Sequence, residues 1–127
     1  MRSALKMLAI VFAAVGSLVP TPVGAQVVKE EVPGITNFNH IESTVACAGA
    51  ITPDAIPKIK AMGYHSIINL RLETEPGARI EESKAAAEAA GITYVHIPFS
   101  VSNPDPAAVD KFLEAIGTPG VEPAFIH

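Results

Sequence analysis

His65-Ser66-Ile67-Ile68-Asn69-Leu70 decides how this chain folds. The stretch is short, largely apolar and β-branched at its centre, with none of the strict alternation that leaves one face of a strand in water. A strand buried on both faces belongs inside a parallel sheet, and parallel strands need long crossover connections. The flanks supply them. Downstream, Arg71 to Gly77 is a loop, Ala78 to Ala90 an alanine-rich helix with charges on one side, and Gly91 its left-handed stop. Ile92-Thr93-Tyr94-Val95-His96-Ile97 then resumes strand character.

Upstream, Thr52-Pro53-Asp54 reads as a helix start, with threonine as N-cap, proline where its missing N–H costs nothing, and an acid near the positive end. Ile56, Ile59 and Met62 fall at helical spacing before Gly63, although Pro57 sits awkwardly inside that span. Ile41 to Ala48 is a weaker strand candidate. Towards the other end, Pro98 to Pro106 is a proline-rich loop and Ala107 to Ile116 a third helix. Its expected apolar face is Val109, Phe112, Leu113 and Ile116, with Asp105 just before it as an N-cap. Ala124-Phe125-Ile126 is the next strand. Strands alternating with helices predict an α/β fold, a parallel or mixed sheet with helices on both faces, with ligands at the carboxyl ends of the strands.

Not all of the 127 residues belong to that domain. Arg2 and Lys6 precede an uncharged, mostly apolar run from Met7 to Val19, and Val23-Gly24-Ala25 offers small residues for cleavage. Residues 1–25 are expected to be a signal peptide and the protein to be exported, periplasmic or secreted; the run is too short to span a bilayer. Residues 26–35, with several charges, a proline and a glycine, read as a tether, leaving 36–127 as the α/β domain. Removing the first 25 residues takes away two of nine cations and none of 13 acids, for a net charge of about −6. So acidic a body excludes nucleic acid as a partner, and it carries no basic stripe for a membrane surface. Cys47 is the only cysteine, so stability rests on packing without an internal disulfide.

Several segments in a fixed order resemble a known family: Ile67-Ile68-Asn69-Leu70-Arg71 after a helix, Glu73 and Glu75 in the next loop, Gly91 before Tyr94-Val95-His96-Ile97-Pro98, and Pro123 to His127. The chain resembles the small bacterial branch of the cysteine-dependent tyrosine and dual-specificity phosphatases, including the phosphatase-like domain of beta-lactamase-hydrolase-like proteins. The likeness runs from about Thr36 to His127. In that family, a strand ending in histidine runs directly into a cysteine, five further residues and an arginine. The resemblance therefore implies hydrolysis of phosphate monoesters through a phosphocysteine intermediate, without a metal or other cofactor. It also implies a phosphorylated protein or small phosphoester as substrate. Five residues between cysteine and arginine let backbone N–H groups form an anion nest, and the arginine grips two phosphate oxygens.

By the same resemblance, His127 precedes the nucleophile, orders its loop and helps set the thiol pKa. Since these residues stop at His127, we expect the sequence to be truncated before the catalytic loop, inactive as it stands, and poorly folded for want of a following helix over its last strand. The general acid of the family lies on the loop before the third helix; Asp105 matches that place and Asp110 is the reserve. Asp105 can equally cap the helix. Cys47 lacks an arginine six positions on, where Pro53 stands, and reads as a half-buried hydrophobe. His40, His65 and His96 are spread over separate segments without metal-ligand spacing, and Arg71 is expected to pair with Glu73 or Glu75. Two alternatives stand beside the phosphatase: a rhodanese-like sulfurtransferase, which also places a cysteine after a parallel strand, and a non-catalytic exported binding module.

Overall fold

The structure is a computed structural model that describes residues 27–41 and 43–127. The expected signal peptide, 1–25, lies outside the described residues. Six strands form one mixed sheet: β1 (Val27–Val32), β2 (Ile35–Ile41), β3 (Val45–Cys47), β4 (Ser66–Asn69), β5 (Thr93–His96) and β6 (Ala124–Ile126). Three helices connect them: α1 (Ile56–Ala61), α2 (Ile80–Ala90) and α3 (Pro106–Gly117). The strand order is β1-β2-β3-β6-β4-β5, with β3, β6, β4 and β5 parallel and β1 and β2 antiparallel additions at one side.

The interior strand is as its composition demands: Ser66, Ile67, Ile68 and Asn69 are all fully buried, between β6 and β5. Alternation then sorts its side chains into two cores. Ile67 and Phe125 face α1 and α2 with Phe38, Ala46, Ile56, Ile59 and Ala87. Ile68, Ala124 and the half-buried Ile126 face α3 with Ala108, Phe112 and Ile116. Phe38 stacks on Phe125 at 5.5 Å and Tyr64 meets Phe125 edge-on at 5.5 Å, so three aromatics tie β2 and β6 to the segment that leads into β4.

Four local readings need correction. The described part of the expected tether is structured: Val27–Val32 is an edge strand, and Pro33-Gly34 is the turn that pairs it with β2. Gly34 takes φ +87°, and a Cβ there would stand 2.7 Å from Thr52 Oγ1, so only glycine fits. The proline, glycine and charges that suggested a linker are hairpin chemistry and edge protection. Ile41 to Ala48 is not one strand; the end of β2 and all of β3 share it, with a turn between. Thr52 has the extended backbone of an N-cap, yet its side chain makes no cap bond. A one-turn 3₁₀ segment at Pro53–Ala55 starts the helical region, so Pro57 falls in the first turn of α1, where its missing N–H is harmless.

The fourth correction concerns α3. Ala108, Phe112, Ala115 and Ile116 meet the sheet, while Val109 and Leu113 are more than half exposed or at that boundary, at 50% and 57%. A small buried residue, Ala108, lets the helix approach closely and rotates the apparent apolar stripe away from the sheet.

Candidate active site

Parallel pairing places the carboxyl ends of β3, β6, β4 and β5 side by side. The loop after β4 leads to α2 on one face; the loop after β5 leads to α3 on the other. Neighbouring strands whose connections part to opposite faces open a crevice at their carboxyl ends, and helix N-termini direct positive dipole ends towards it.

His127 lies at the centre of that edge. Its N–H donates to the Ile68 carbonyl at 3.0 Å, and its own carbonyl accepts from Leu70 N–H at 2.6 Å, which extends the pairing with β4 one step beyond β6. The imidazole is buried, and neither ring nitrogen has a hydrogen-bond partner. Burial first, and then the neighbouring Arg71 guanidinium, hold its pKa down at about 4, with a smaller contribution from His96. The Gly49 backbone pulls the other way without overcoming them. His127 is therefore a neutral ring at pH 7.

Around it, side chains on the same face as Phe125 make a polar cluster. Asn69 Nδ2 donates to the Tyr94 hydroxyl at 2.7 Å, and Asn69 Oδ1 accepts from Arg71 N–H at 2.8 Å. Burial pushes the Tyr94 phenol up, so it stays protonated. His96 Nε2 donates to the Arg71 carbonyl at 2.9 Å, which fixes the tautomer, since a carbonyl can only accept. Arg71 Nη2 meets Glu75 Oε2 at 3.2 Å and the Pro76 carbonyl at 3.1 Å. Of the two acids considered for Arg71, Glu75 is the partner.

Asp105 sits at the N-terminus of α3, exposed, with Oδ1 accepting from Ala107 N–H at 2.9 Å. The cap is therefore present, and it leaves the second carboxylate oxygen free. Because α3 runs from the carboxyl edge back towards the start of β6, Asp105 is at the edge that carries His127. Asp110 lies about 7 Å further along the helix, in the opposite direction. Cys47 closes β3 in register with Ile126; burial pushes its thiol up, opposite to what a nucleophile needs.

The remaining histidines are apart from this edge. His40 bridges Tyr64 Oη (2.8 Å) and Glu30 Oε2 (3.0 Å), tying the β1–β2 hairpin to the core, and His65 is exposed. Among the described residues no group of three or more His, Cys, Asp or Glu is placed to hold a metal ion, and no helix is long and apolar enough to cross a membrane. Sequence reasoning missed the polar cluster beneath His127. Asn69 inside an otherwise apolar strand was its one visible signal, because a buried amide needs partners.

Solved structures share this fold. A candidate phosphatase (DUF442) from Shewanella putrefaciens CN-32 superposes with a TM-score of 0.66 at 24% identity, over 74% of this chain and 59% of its own. The core catalytic domain of the PP-IP phosphatase SIW14 from S. cerevisiae, solved with citrate, gives 0.59 at 21% identity, over 76% and 58%. A candidate phosphatase from Neisseria meningitidis gives 0.57 at 22%, over 67% and 61%. The chain thus spans about three fifths of the length of the structures it matches. No curated protein matches it. Residues 37–124 match the family described as beta-lactamase hydrolase-like protein, phosphatase-like domain. With β3, β4, β5 and all three helices inside that match, the chain belongs to the phosphatase-like domain family of beta-lactamase hydrolase-like proteins.

Proposed function

We propose that this domain, in the intact exported protein, hydrolyses phosphate monoesters by way of a phosphocysteine. The observation that carries the reading is β6: the innermost parallel strand, between β3 and β4, delivers His127 to the centre of the carboxyl edge. A loop leaving that point starts beside the crevice and beneath the positive ends of two helices, where an oxyanion is best held. The family likeness supplies the rest of the proposal, a cysteine next after His127 and an arginine six positions beyond it.

The chemistry then runs in two steps. The thiolate attacks phosphorus, the S–P bond forms as the P–O bond breaks, and Asp105 gives its proton to the departing oxygen. In the second step the Asp105 carboxylate takes a proton from water, water oxygen bonds to phosphorus, and the S–P bond breaks to release phosphate and restore the thiolate. Neither step calls for a metal or a cofactor. The exposed, half-free carboxylate of Asp105 at the same edge as His127 supports it over Asp110.

The substrate in this reading is a phosphorylated protein or a small phosphoester, met outside the cytoplasm. Phosphate release from an aryl phosphate by the intact protein is the test. Serine in place of the cysteine after His127 should abolish it, and release that survives that change would sink the mechanism.

A further inference from the structure

The two edges of the sheet are built differently. β1, at one side, carries Lys29, Glu30 and Glu31, charges that keep a foreign strand away. β5, which ends the sheet at the other side among the described residues, is Thr93-Tyr94-Val95-His96, with no lysine, acid or proline and no break in its register with β4. Thr93 N–H donates to the His65 carbonyl at 3.1 Å and Ile97 N–H to the Asn69 carbonyl at 2.8 Å, so alternate residues of β5 turn their backbone towards β4. Tyr94 and His96 fall between them in that alternation, and their N–H and C=O groups point to the free side. An edge of β-branched and aromatic residues with open backbone groups is a template for another strand. Beside it runs a groove of about 380 Å³, lined by Thr93 and Val95 of β5 and by Lys111, Glu114, Ala115 and Thr118 of α3. Lys111 and Glu114 are exposed, and neither is in an ion pair among the described residues.

We propose that β5 is a self-docking edge: it pairs antiparallel with β5 of a second copy of this chain, Val95 on the two-fold axis, so that a single sheet runs through both copies. The register follows from the residues. Directly opposed side chains of an antiparallel pair share a face, so a two-fold joint centres on a residue and not between two. Centred on Val95, it sets Tyr94 of each copy against His96 of the other, and each such pair of outward residues exchanges both of its backbone hydrogen bonds. Centred on Tyr94, it would put His96 opposite Ile92, beyond the end of β5; centred on His96, it would put Tyr94 opposite Pro98, which has no N–H. The two α3 helices then flank the joint on the Val95 face and run in opposite directions. Lys111 and Glu114 lie about 4.5 Å apart along the helix and line the same groove as Val95. Under the two-fold their levels exchange, and Lys111 of each copy meets Glu114 of the other. That reciprocity of charge on one helix face points to a second copy as the occupant and not to an unrelated peptide.

A joint this short belongs to the weak class of interfaces, so the experiment is sedimentation velocity of the intact protein from about 10 μM to about 1 mM, with amide hydrogen exchange measured at both ends of that range. Dimer should form as concentration rises, and the Tyr94 and His96 amides should become protected with it while those of β1 do not. K111E sets like charges across the joint at two places and should weaken the dimer about tenfold. K111E/E114K restores opposite charges in reversed order and should return the dimer to within about twofold of the parent. Both positions are exposed, so neither variant disturbs the core, and the reversal carries the same composition as the parent. A monomer at every concentration overturns the proposal and leaves the groove to an extended segment of another protein. A dimer whose Tyr94 and His96 amides exchange as fast as the monomer's overturns it too, since the copies then meet elsewhere. So does a charge reversal that stays as weak as K111E.

Discussion

Acid should unfold this domain through His127 before most carboxylates respond, and the size of the effect follows from its surroundings. The buried ring takes a proton at about 4, against 6.5 for a free imidazole. Below pH 6.5 the unfolded chain therefore binds a proton that the folded chain refuses. Stability is fully present above 6.5 and falls as pH drops, until the folded ring also titrates near 4. At 1.36 kcal/mol per unit, the whole gap is worth about 3 kcal/mol, of which about 2 kcal/mol is already lost at pH 5. Carboxylates contribute to acid unfolding as well, so the measurement must be a difference. Urea unfolding of the intact protein and its His127→Gln variant at pH 7.5, 6 and 5 isolates the ring, since all other groups cancel. The variant should be less stable at pH 7.5 and recover about 2 kcal/mol relative to the parent by pH 5. A difference that stays constant within about 0.5 kcal/mol would show that the ring is solvated or charged at neutral pH, and the account of burial beside Arg71 would be wrong.

Three further outcomes are expected. Phe125→Ala should cost about 3–5 kcal/mol in urea unfolding, and combined with Phe38→Ala should fall short of additivity by about 0.5–1.5 kcal/mol, reflecting their stacking at 5.5 Å. Asp105→Ala should lose about 1 kcal/mol of stability with the cap, whereas Asp105→Asn keeps much of the cap but removes the proton. Both should slow hydrolysis of alkyl phosphates by the intact protein about 10²–10⁴-fold, while Asp110→Ala leaves the rate intact; slowing by the alanine variant alone would leave Asp105 as a cap only. Gly34→Ala should destabilise by about 2 kcal/mol in thermal melts, because an L side chain is strained at φ +87° and would crowd Thr52.

The parts of the fold that could be read in the sequence are those where one signal dominates. Ser66–Asn69 is buried on both faces and shows it; α2 and α3 have their stops and caps, and Gly91 does take the left-handed conformation, at φ +65°. What escaped were places where one residue type serves two purposes. Pro33 and Gly34 stop a tether or turn a hairpin equally well, and only pairing with β2 distinguishes them. Val109 and Leu113 continue an apolar stripe, but the sheet selects Ala108 and Phe112, since close approach matters more than hydrophobicity. The site was legible only in part, for the same reason. His127 and Asp105 stood out through family resemblance, and their places at one edge of the sheet agree with that reading without testing it. The cluster of Asn69, Tyr94, His96 and Arg71 depends on contacts across two strands and a loop, which spacing along the chain does not record.

The position of β6 also shapes how the domain comes into being. β3 and β4 are never neighbours; β6 lies between them, and of the six strands it is the last to be synthesised. Until it arrives, the β1–β2–β3 meander and the β4–α2–β5 unit are two half-sheets, each with an unpaired parallel edge. Closing them requires pairings that bridge about 80 residues to Val45 and nearly 60 to Ser66, separations that make assembly slow. During synthesis, those two open edges are the stretches most exposed to wrong partners. The strand that brings His127 to the carboxyl edge is thus also the one that joins the two half-sheets, so the ring reaches its buried position only when that joining occurs.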